Sequence, residues 1–397
     1  MQKKLIALAI AALGVSGLGT SSVALADTNV TLYGKIDLNL ASTKTNKNIV
    51  RSTSTYNDAT SVTIDGDTTT VGEALRTTKF LGVSRNVVST SRIGLKGSED
   101  LGGGLKAVFT YEFGSLTPDE DENSIGKTRV STVGLQGGFG TFLMGRMASP
   151  SKVWSDTYNP TAGVGYGESD PLTEAQDVAG ASVATGDRVS NALAWLSPNW
   201  NGFTAKAAYS FVKEEDTADS TDADDRKQGA ISLGADYAIG GLKVGATYRR
   251  LGDTAGLGTQ DGSKEMGIGL RYDFGVVELA TTYQQVKANS SDEKKGRAWS
   301  FGANAPVGTA GKVYLTVAGG RAAAPGDATD SNGVEQAVDG NARAYSLAYT
   351  HSLSKRTKVY AGYSNHKSGE QVGTSGTNDI VYHDKFSGFN VGIGHSF

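Results

Sequence analysis

The chain is built from runs of about ten residues in which apolar and polar side chains alternate, and the alternation continues to the final residue. In SGFNVGIGHSF, Phe389, Val391, Ile393, His395 and Phe397 share one parity, while Gly388, Asn390, Gly392, Gly394 and Ser396 share the other. A period of two is the mark of a strand with one apolar face. Chain ends fray unless a neighbour holds them, so this strand needs a partner. Its other face is too small and polar to be half of a core.

The same unit recurs throughout. LKAVFTYEF sets Leu105, Ala107, Phe109, Tyr111 and Phe113 on one face. TRVSTVGLQ and TFLMGR flank the turn GGFG, RVSNALAWLSP and FTAKAAYSFV flank NWNG, and KQGAISLGADYAIG and LKVGATYRRL flank GG. KEMGIGLRYDFG with VVELATTYQQV, GRAWSFGANAPVG with GKVYLTVAGG, and ARAYSLAYTHSLS with RTKVYAGYSNHK extend the series. With the first and last strands, the expected count is sixteen. Loops alternate in length. One set is short and rich in Gly and Asn, as tight hairpins require; the other is long and polar, at 43–88, 147–187, 215–226 and 368–385.

A soluble sandwich gives no reason for that sorting. A barrel crossing an outer membrane does, with short periplasmic turns and long extracellular loops. Backbone groups in lipid must all be paired, so the sheet can have no edge. The expected fold is all-β: a 16-stranded antiparallel transmembrane β-barrel in which the last strand pairs with TLYGKIDLNL. Its apolar face looks at lipid, and its polar face looks into a water-filled lumen. Composition fits this arrangement. Hydrophobic residues are 38%, which is low for one packed core, and the 16 Tyr, 12 Phe and 4 Trp supply interfacial girdles.

Lys3 and Lys4 precede an apolar run from Leu5, and Ala24-Leu25-Ala26 offers a small-residue cleavage site. Residues 1–26 therefore read as a secretory signal peptide, and 27–397 as one barrel domain. No later stretch is long and apolar enough for a membrane helix. The chain has no cysteine, so disulfides do not hold it. The net charge of −3 argues against nucleic-acid binding.

The segments VTLYGKIDLNL, SRIGLKGSEDLGGGLKAVFTYE, VGLQGGFGTFLMGR, the SKRT turn in YTHSLSKRTKVYAGYS, and VGIGHSF resemble the general trimeric porins of Gram-negative outer membranes, the betaproteobacterial and neisserial branch in particular. The resemblance implies a homotrimer and a passive channel for ions and small hydrophilic solutes, with a weak preference for anions. It implies that loop 147–187 folds into the lumen, and that Phe397 is part of the signal read by the barrel assembly machinery. Outer-membrane lipid and lipopolysaccharide are the expected surroundings. The first loop, 43–88, is longer than the family pattern, and its Thr-rich run either adds strand or covers the mouth.

A pore works through a constriction and a field rather than a nucleophile. Loop 147–187 is acidic, with Asp156, Glu168, Asp170, Glu174 and Asp177. Facing it, strand parity puts Lys35, Arg92 and Lys96 in the lumen, with Lys35 and Arg92 near mid-depth; Arg249 and Lys358 have inward parity too. Arg146 shares parity with Phe142 and Met144, and belongs to the constriction only if a bulge turns it inward. Arg129 has the parity of Val133 and Leu135, which places it at a subunit interface. Opposed rings of charge order water and sort solutes by charge.

Other signals are weaker. DTADSTDADDRKQG is dense in carboxylates but lacks the ligand spacing of an EF-hand. GLGTQDG is a Gly-rich loop with no helix after it. The four histidines do not pair at metal-ligand spacing. No cofactor and no enzyme activity is expected. Three other functions compete with the general channel: an outer-membrane enzyme, an adhesive surface on a barrel scaffold, and a substrate-specific porin with Tyr33, Tyr314 and Tyr360 as a sugar slide.

Overall fold

The computed structural model describes residues 29–52, 61–64, 67–70, 75–85, 90–114, 127–161, 170–179, 188–211, 229–251, 263–287, 295–322, 340–375 and 378–397. Strand β1 is Asn29–Ser52, and a small separate hairpin follows, β2 Ser61–Ile64 with β3 Asp67–Thr70. Next, β4 (Leu75–Arg85) and β5 (Arg92–Gly102) lie end to end along one edge of β1. Together they make one stave. The rest are β6 Leu105–Gly114, β7 Lys127–Gly137, β8 Gly140–Ala148, β9 Arg188–Leu196, β10 Phe203–Ser210, β11 Ala230–Ile239 and β12 Leu242–Arg250. They continue with β13 Lys264–Asp273, β14 Glu278–Lys287, β15 Lys295–Val307, β16 Gly311–Arg321, β17 Asn341–Ser352, β18 Thr357–Ser375 and β19 Asn378–Ser396.

With β4 and β5 counted as one, the sheet is a closed antiparallel barrel of sixteen staves. Every stave pairs with its neighbours in sequence, and the ring shuts between β1 and β19, from Lys35↔Ser396 to Ser52↔Asp379. Beyond that ladder Gly34 N donates to the Phe397 carbonyl and Phe397 N donates back to Gly34, both at 3.1 Å. The terminal strand is thus held to its last residue. The Phe397 ring lies over Gly34, where a Cβ would come within 2.2 Å of it.

Side chains sort by parity as a wet-inside barrel requires. Leu32, Ile36 and Leu40 are exposed on the outer surface, while Asp37 and Asn39 between them are buried inside. So much bare apolar surface would cost about 25 cal/mol per Å² in water, and lipid removes that cost. Rings gather near the short turns, where Phe139, Phe142, Trp195, Trp200 and Phe203 form a chain with centroids 5.7–6.5 Å apart. The NWNG turn is a two-residue hairpin in which Asn201 and Gly202 both have positive φ, 53° and 96°.

Two expected loops are largely strand. The stretch 43–88 contains the upper parts of β1 and β4 and the β2–β3 hairpin, and 368–385 is nearly all β18 and β19. Apolar alternation ends where lipid ends, since both faces then meet water. Backbone pairing has no such limit.

The loop after β8 carries two helices, α1 (Pro150–Tyr158) and α2 (Pro171–Val178). Ser149 caps α1, its hydroxyl accepting from Lys152 N at 3.0 Å, with Pro150 opening the helix. α1 packs on the inner wall at β11–β13, and α2 on β15–β17. The loop therefore lies inside the barrel.

Candidate constriction and lumen

Glycines on the inner wall seat the helices. A Cβ on Gly267 would stand 2.6 Å from the Trp154 ring, and one on Gly269 2.3 Å from Cγ of Tyr158. Gly320 lets the wall approach the Ala175 carbonyl, which a Cβ would meet at 2.2 Å. Polar contacts fix the seat. Trp154 Nε1 donates to the Gly245 carbonyl at 3.2 Å, and the Ser151 hydroxyl bridges Ser232 and Thr247 at 3.1 and 2.9 Å. Gln176 donates to Gln284 at 2.8 Å, and Arg271 Nη1 to the Thr157 carbonyl at 2.6 Å.

Tyr158 donates its hydroxyl to Asp236 at 2.8 Å, and Lys206 pairs with the same carboxylate. Burial, with the Asp236 charge beside it, pushes the Tyr158 phenol well above its ordinary range, so it stays a neutral donor. Glu174 of α2 lies 3.6 Å from Nδ1 of His366 on β18, whose ring is stacked on Phe386 at 5.1 Å.

Among the described residues, these helices pack on β11–β17 and not on β1 and β5–β9. Cations line this second side. Lys35 is directly opposite Arg92 in the ladder, and Lys358 and Asp37 lie within its electrostatic reach. Lys96 sits nearer the short-turn end, its ammonium 5.4 Å from the centroid of Tyr33. Arg92 approaches Glu112 at 3.5 Å.

Arg129 differs from its expected place. The β6–β7 register shifts between Glu112 and Phe113, making Arg129 the extra residue of a bulge. Its Nε donates to Glu112 at 2.8 Å, on the inner side rather than at a subunit interface. At Arg146 the β8–β9 register shifts between Gly145 and Met147, and Gly145 has a φ of 126°. Arg146 Nε donates to the Thr128 carbonyl at 2.8 Å and Nη1 donates to Ser190. Arg188, at the start of β9, lies within electrostatic reach of Arg129, Arg146, Glu112 and Asp156. One neighbourhood thus holds several guanidiniums around a single glutamate. Arg249 is buried on the inner face, opposite Glu265 in the ladder.

The acidic side is thinner than the loop composition implies. Asp156 is exposed on α1 and pairs with Lys152 one turn before it. Asp170 is corrected: it is buried at the start of α2, its carboxylate accepting from Asn159, Thr161 and Thr173. Burial pushes its carboxyl above the ordinary range, and those three donors pull it back in part. It braces the loop instead of facing solute. Glu168, the stretch DTADSTDADDRKQG up to Gln228, and all of GLGTQDG lie outside the described residues, as does the side chain of Asp177.

Glu112 and Arg188 were not among the expected site residues. Glu112 has inward parity within LKAVFTYEF, so alternation alone would have found it. The three lumen tyrosines do not form a slide: Tyr33 donates to Glu112 at 3.0 Å and Tyr360 to Asp37 at 2.7 Å, while Tyr314 and Tyr360 are buried. Among the described residues, no group of three His, Cys, Asp or Glu could hold a metal ion.

Residues 7–371 match the family of Gram-negative porins. The chain is 30% identical to outer membrane porin protein 32 of Delftia acidovorans over 407 residues, covering all of both chains. It is 29% identical to an outer membrane porin protein of Bordetella pertussis, again over the whole of both. Among solved structures, it is similar to the anion-selective porin from Comamonas acidovorans, with a TM-score of 0.66 and 27% identity, covering 94% of this chain and 100% of that one. The closed wall, the polar lumen and the loop laid inside it are those of a diffusion channel, and the chain belongs to the Gram-negative porins of the outer membrane.

Proposed function

We propose that this porin is a homotrimeric channel without catalytic activity that passes small hydrophilic solutes and favours anions. One observation carries the selectivity: on this wall Arg92, Arg129 and Arg188 surround the carboxylate of Glu112, with Arg146 within reach of Arg188, and Lys35 and Lys96 add two more cations, while Asp37, within reach of Lys35, accepts from Tyr360. Other inner carboxylates are engaged by the wall or loop, Asp236 by Lys206 and Tyr158, Glu278 by Arg271 and Asn304, Asp170 by its own loop. A water-filled gap with excess positive charge on one side raises the local anion concentration. Asp156 is the acidic group of the inserted loop that supports a transverse field across that gap. The preference of the similar Comamonas porin for anions agrees with this reading.

The test is single-channel current in a planar bilayer under a KCl gradient. The expected result is passive current closing in steps of three, with a reversal potential of anion-selective sign. Replacing Lys35 and Arg92 together by Gln shifts that potential toward zero. A cation-selective reversal overturns the assigned selectivity, and an absence of current from folded protein overturns the channel.

A further inference from the structure

The long-loop ends of four adjacent staves, β9 to β12, enclose a cavity of about 630 Å³ that the constriction does not account for. The wall here is irregular. From Ala192 to Val189, β9 takes three steps while β8 takes two, from Gly145 to Met147. The extra residue lets both Val189 and Ala192 face inward, where each is buried and packs with Met147 and Ala208. Asn191, inside the bulge, has a φ of 49°, a conformation that residues with a side chain seldom adopt. Its carbonyl accepts from Phe211 N at 2.8 Å, and its side-chain amide donates to the Phe211 carbonyl at 3.4 Å. Because β10 already ends at Ser210, the ends of β9 on one side and of β11 and β12 on the other flank a short stave.

Two guanidiniums close the cavity from opposite sides, Arg188 of β9 and Arg249 of β12. Three strand spacings of ~4.8 Å separate their backbones, a gap that holds one ring between two long side chains. Their surroundings differ. Arg188 is within electrostatic reach of two further guanidiniums, Arg129 and Arg146, against the carboxylates of Glu112 and Asp156, so positive charge is in excess at its end. Arg249 stands opposite Glu265 in the ladder, and both are buried, so its charge is offset. Between them the walls are Val189, Ala230 and the exposed ring of Phe211, which Tyr209 meets edge-on at 4.8 Å. Ser190 and Ser210 also line the cavity, but both hydroxyls are engaged, Ser190 by Arg146 and Ser210 by the Ser190 carbonyl. An apolar cavity of this size with a few placed polar groups suits a small organic ligand. This one offers a charged end and a flat apolar body, and little for the many hydroxyls of a sugar.

We infer that this cavity is a side subsite of the channel for a carboxylate that carries one aromatic ring. The carboxylate pairs with the Arg188 guanidinium, whose planar fork matches it. The ring lies against Val189, Ala230 and Phe211, and the Arg249 guanidinium covers its face. A carboxylate with only a short alkyl group makes the first contact and not the second, and a neutral aromatic alcohol makes the second and not the first. The inference rests on the anion-favouring channel proposed above, which brings the solute in. It adds a preference among anions that the field of the cation wall, acting on charge alone, does not give.

The test adds benzoate, acetate or benzyl alcohol to the full-length protein in a planar bilayer carrying KCl current, and follows binding of the same three probes by saturation-transfer NMR on the detergent-solubilised protein. In the wild type, benzoate is expected to interrupt the current briefly at about one tenth of the concentration that acetate or benzyl alcohol requires. Ala230→Leu, which fills the cavity without adding or removing a charge, is expected to abolish the preference over acetate, and Arg188→Gln the preference over benzyl alcohol. Equal effects of benzoate and acetate on the wild type overturn the inference. So does a preference that survives Ala230→Leu, since the site then lies elsewhere. Should Ala230→Leu not assemble, Phe211→Ala is expected to weaken benzoate about threefold, and an unchanged response there is a refutation. The subsite and the channel's selectivity fail separately. Anion-selective reversal in a KCl gradient with no benzoate preference sinks the subsite alone. Cation-selective reversal, with a benzoate preference seen by NMR and lost in Ala230→Leu, sinks the selectivity and supports the subsite.

Discussion

Glu112 is held from three different staves: it accepts from Arg129 at 2.8 Å and the Tyr33 hydroxyl at 3.0 Å, and forms an ion pair with Arg92 at 3.5 Å. It fixes the guanidiniums in place and offsets part of their charge. A unit charge acting on an ion ~8 Å away through water is worth ~0.5 kcal/mol. The charge disfavours anions and favours cations by that amount each, so Glu112→Gln is expected to raise the anion-to-cation permeability ratio about fivefold, measured as a reversal-potential shift under a salt gradient. A shift toward cations would show instead that Glu112 acts by keeping Arg92 and Arg129 extended into the pore. At this scale the sequence was readable wherever alternation held. Lys35, Arg92 and Lys96 follow from parity, and so does Glu112. Arg129 does not, because one bulged residue reverses every parity argument beyond it, and no residue type near it announces the bulge. Asp170 was misread for a different reason. Composition reports that a loop is acidic, but not which carboxylates its own backbone and side chains consume.

The inserted helices depend on what the wall omits as much as on what it supplies. Gly267 and Gly269 leave the hollow that Trp154 and Tyr158 fill. Gly269→Leu forces the new side chain into Tyr158, an overpacking that costs about 1–3 kcal/mol, and α1 is expected to leave its seat. The readout is open-channel noise: brief partial closures absent from the wild type, suppressed again when Tyr158→Ala is added. A quiet channel in the single variant would mean that the wall deforms rather than the loop. That loop 147–187 lies inside was an expectation from family resemblance. Its seat was not legible, since alternating glycines in KEMGIGLRYDFG read simply as a small inner face until the crossing helix is known. The tall strands were hidden for a related reason. In β18 and β19 the alternation that marks a strand fades at the lipid boundary, while the ladder continues to Ser375 and Asn378.

Taken whole, the barrel has one sector, β1, β4, β18 and β19, that rises past the lipid band on the long-loop side. Its upper amides sit in water yet are paired on successive staves. Hydrogen exchange of the intact protein is expected to show residues 380–387 protected comparably to residues 388–394 within the membrane. Rapid exchange above Ser387 would show that this upper wall opens independently of the band below it. The closed ring itself was legible, because an even number of alternating strands in lipid has no other way to hide its edges.

The same sector is where the two ends of the chain meet. Joining β1 to β19 encloses on the order of 340 residues, and closing a loop of that length costs about 5 kcal/mol of chain entropy against near zero for the two-residue hairpins elsewhere. The join runs from Lys35↔Ser396 up to Ser52↔Asp379, while β10 meets β9 only from Lys206↔Leu196 to Ser210↔Ala192. The contact that is entropically hardest to make is thus given a run of backbone pairs as long as that of the tall β18–β19 hairpin, from Thr357↔His395 to Ser375↔Asn378, and far longer than that of β9 and β10.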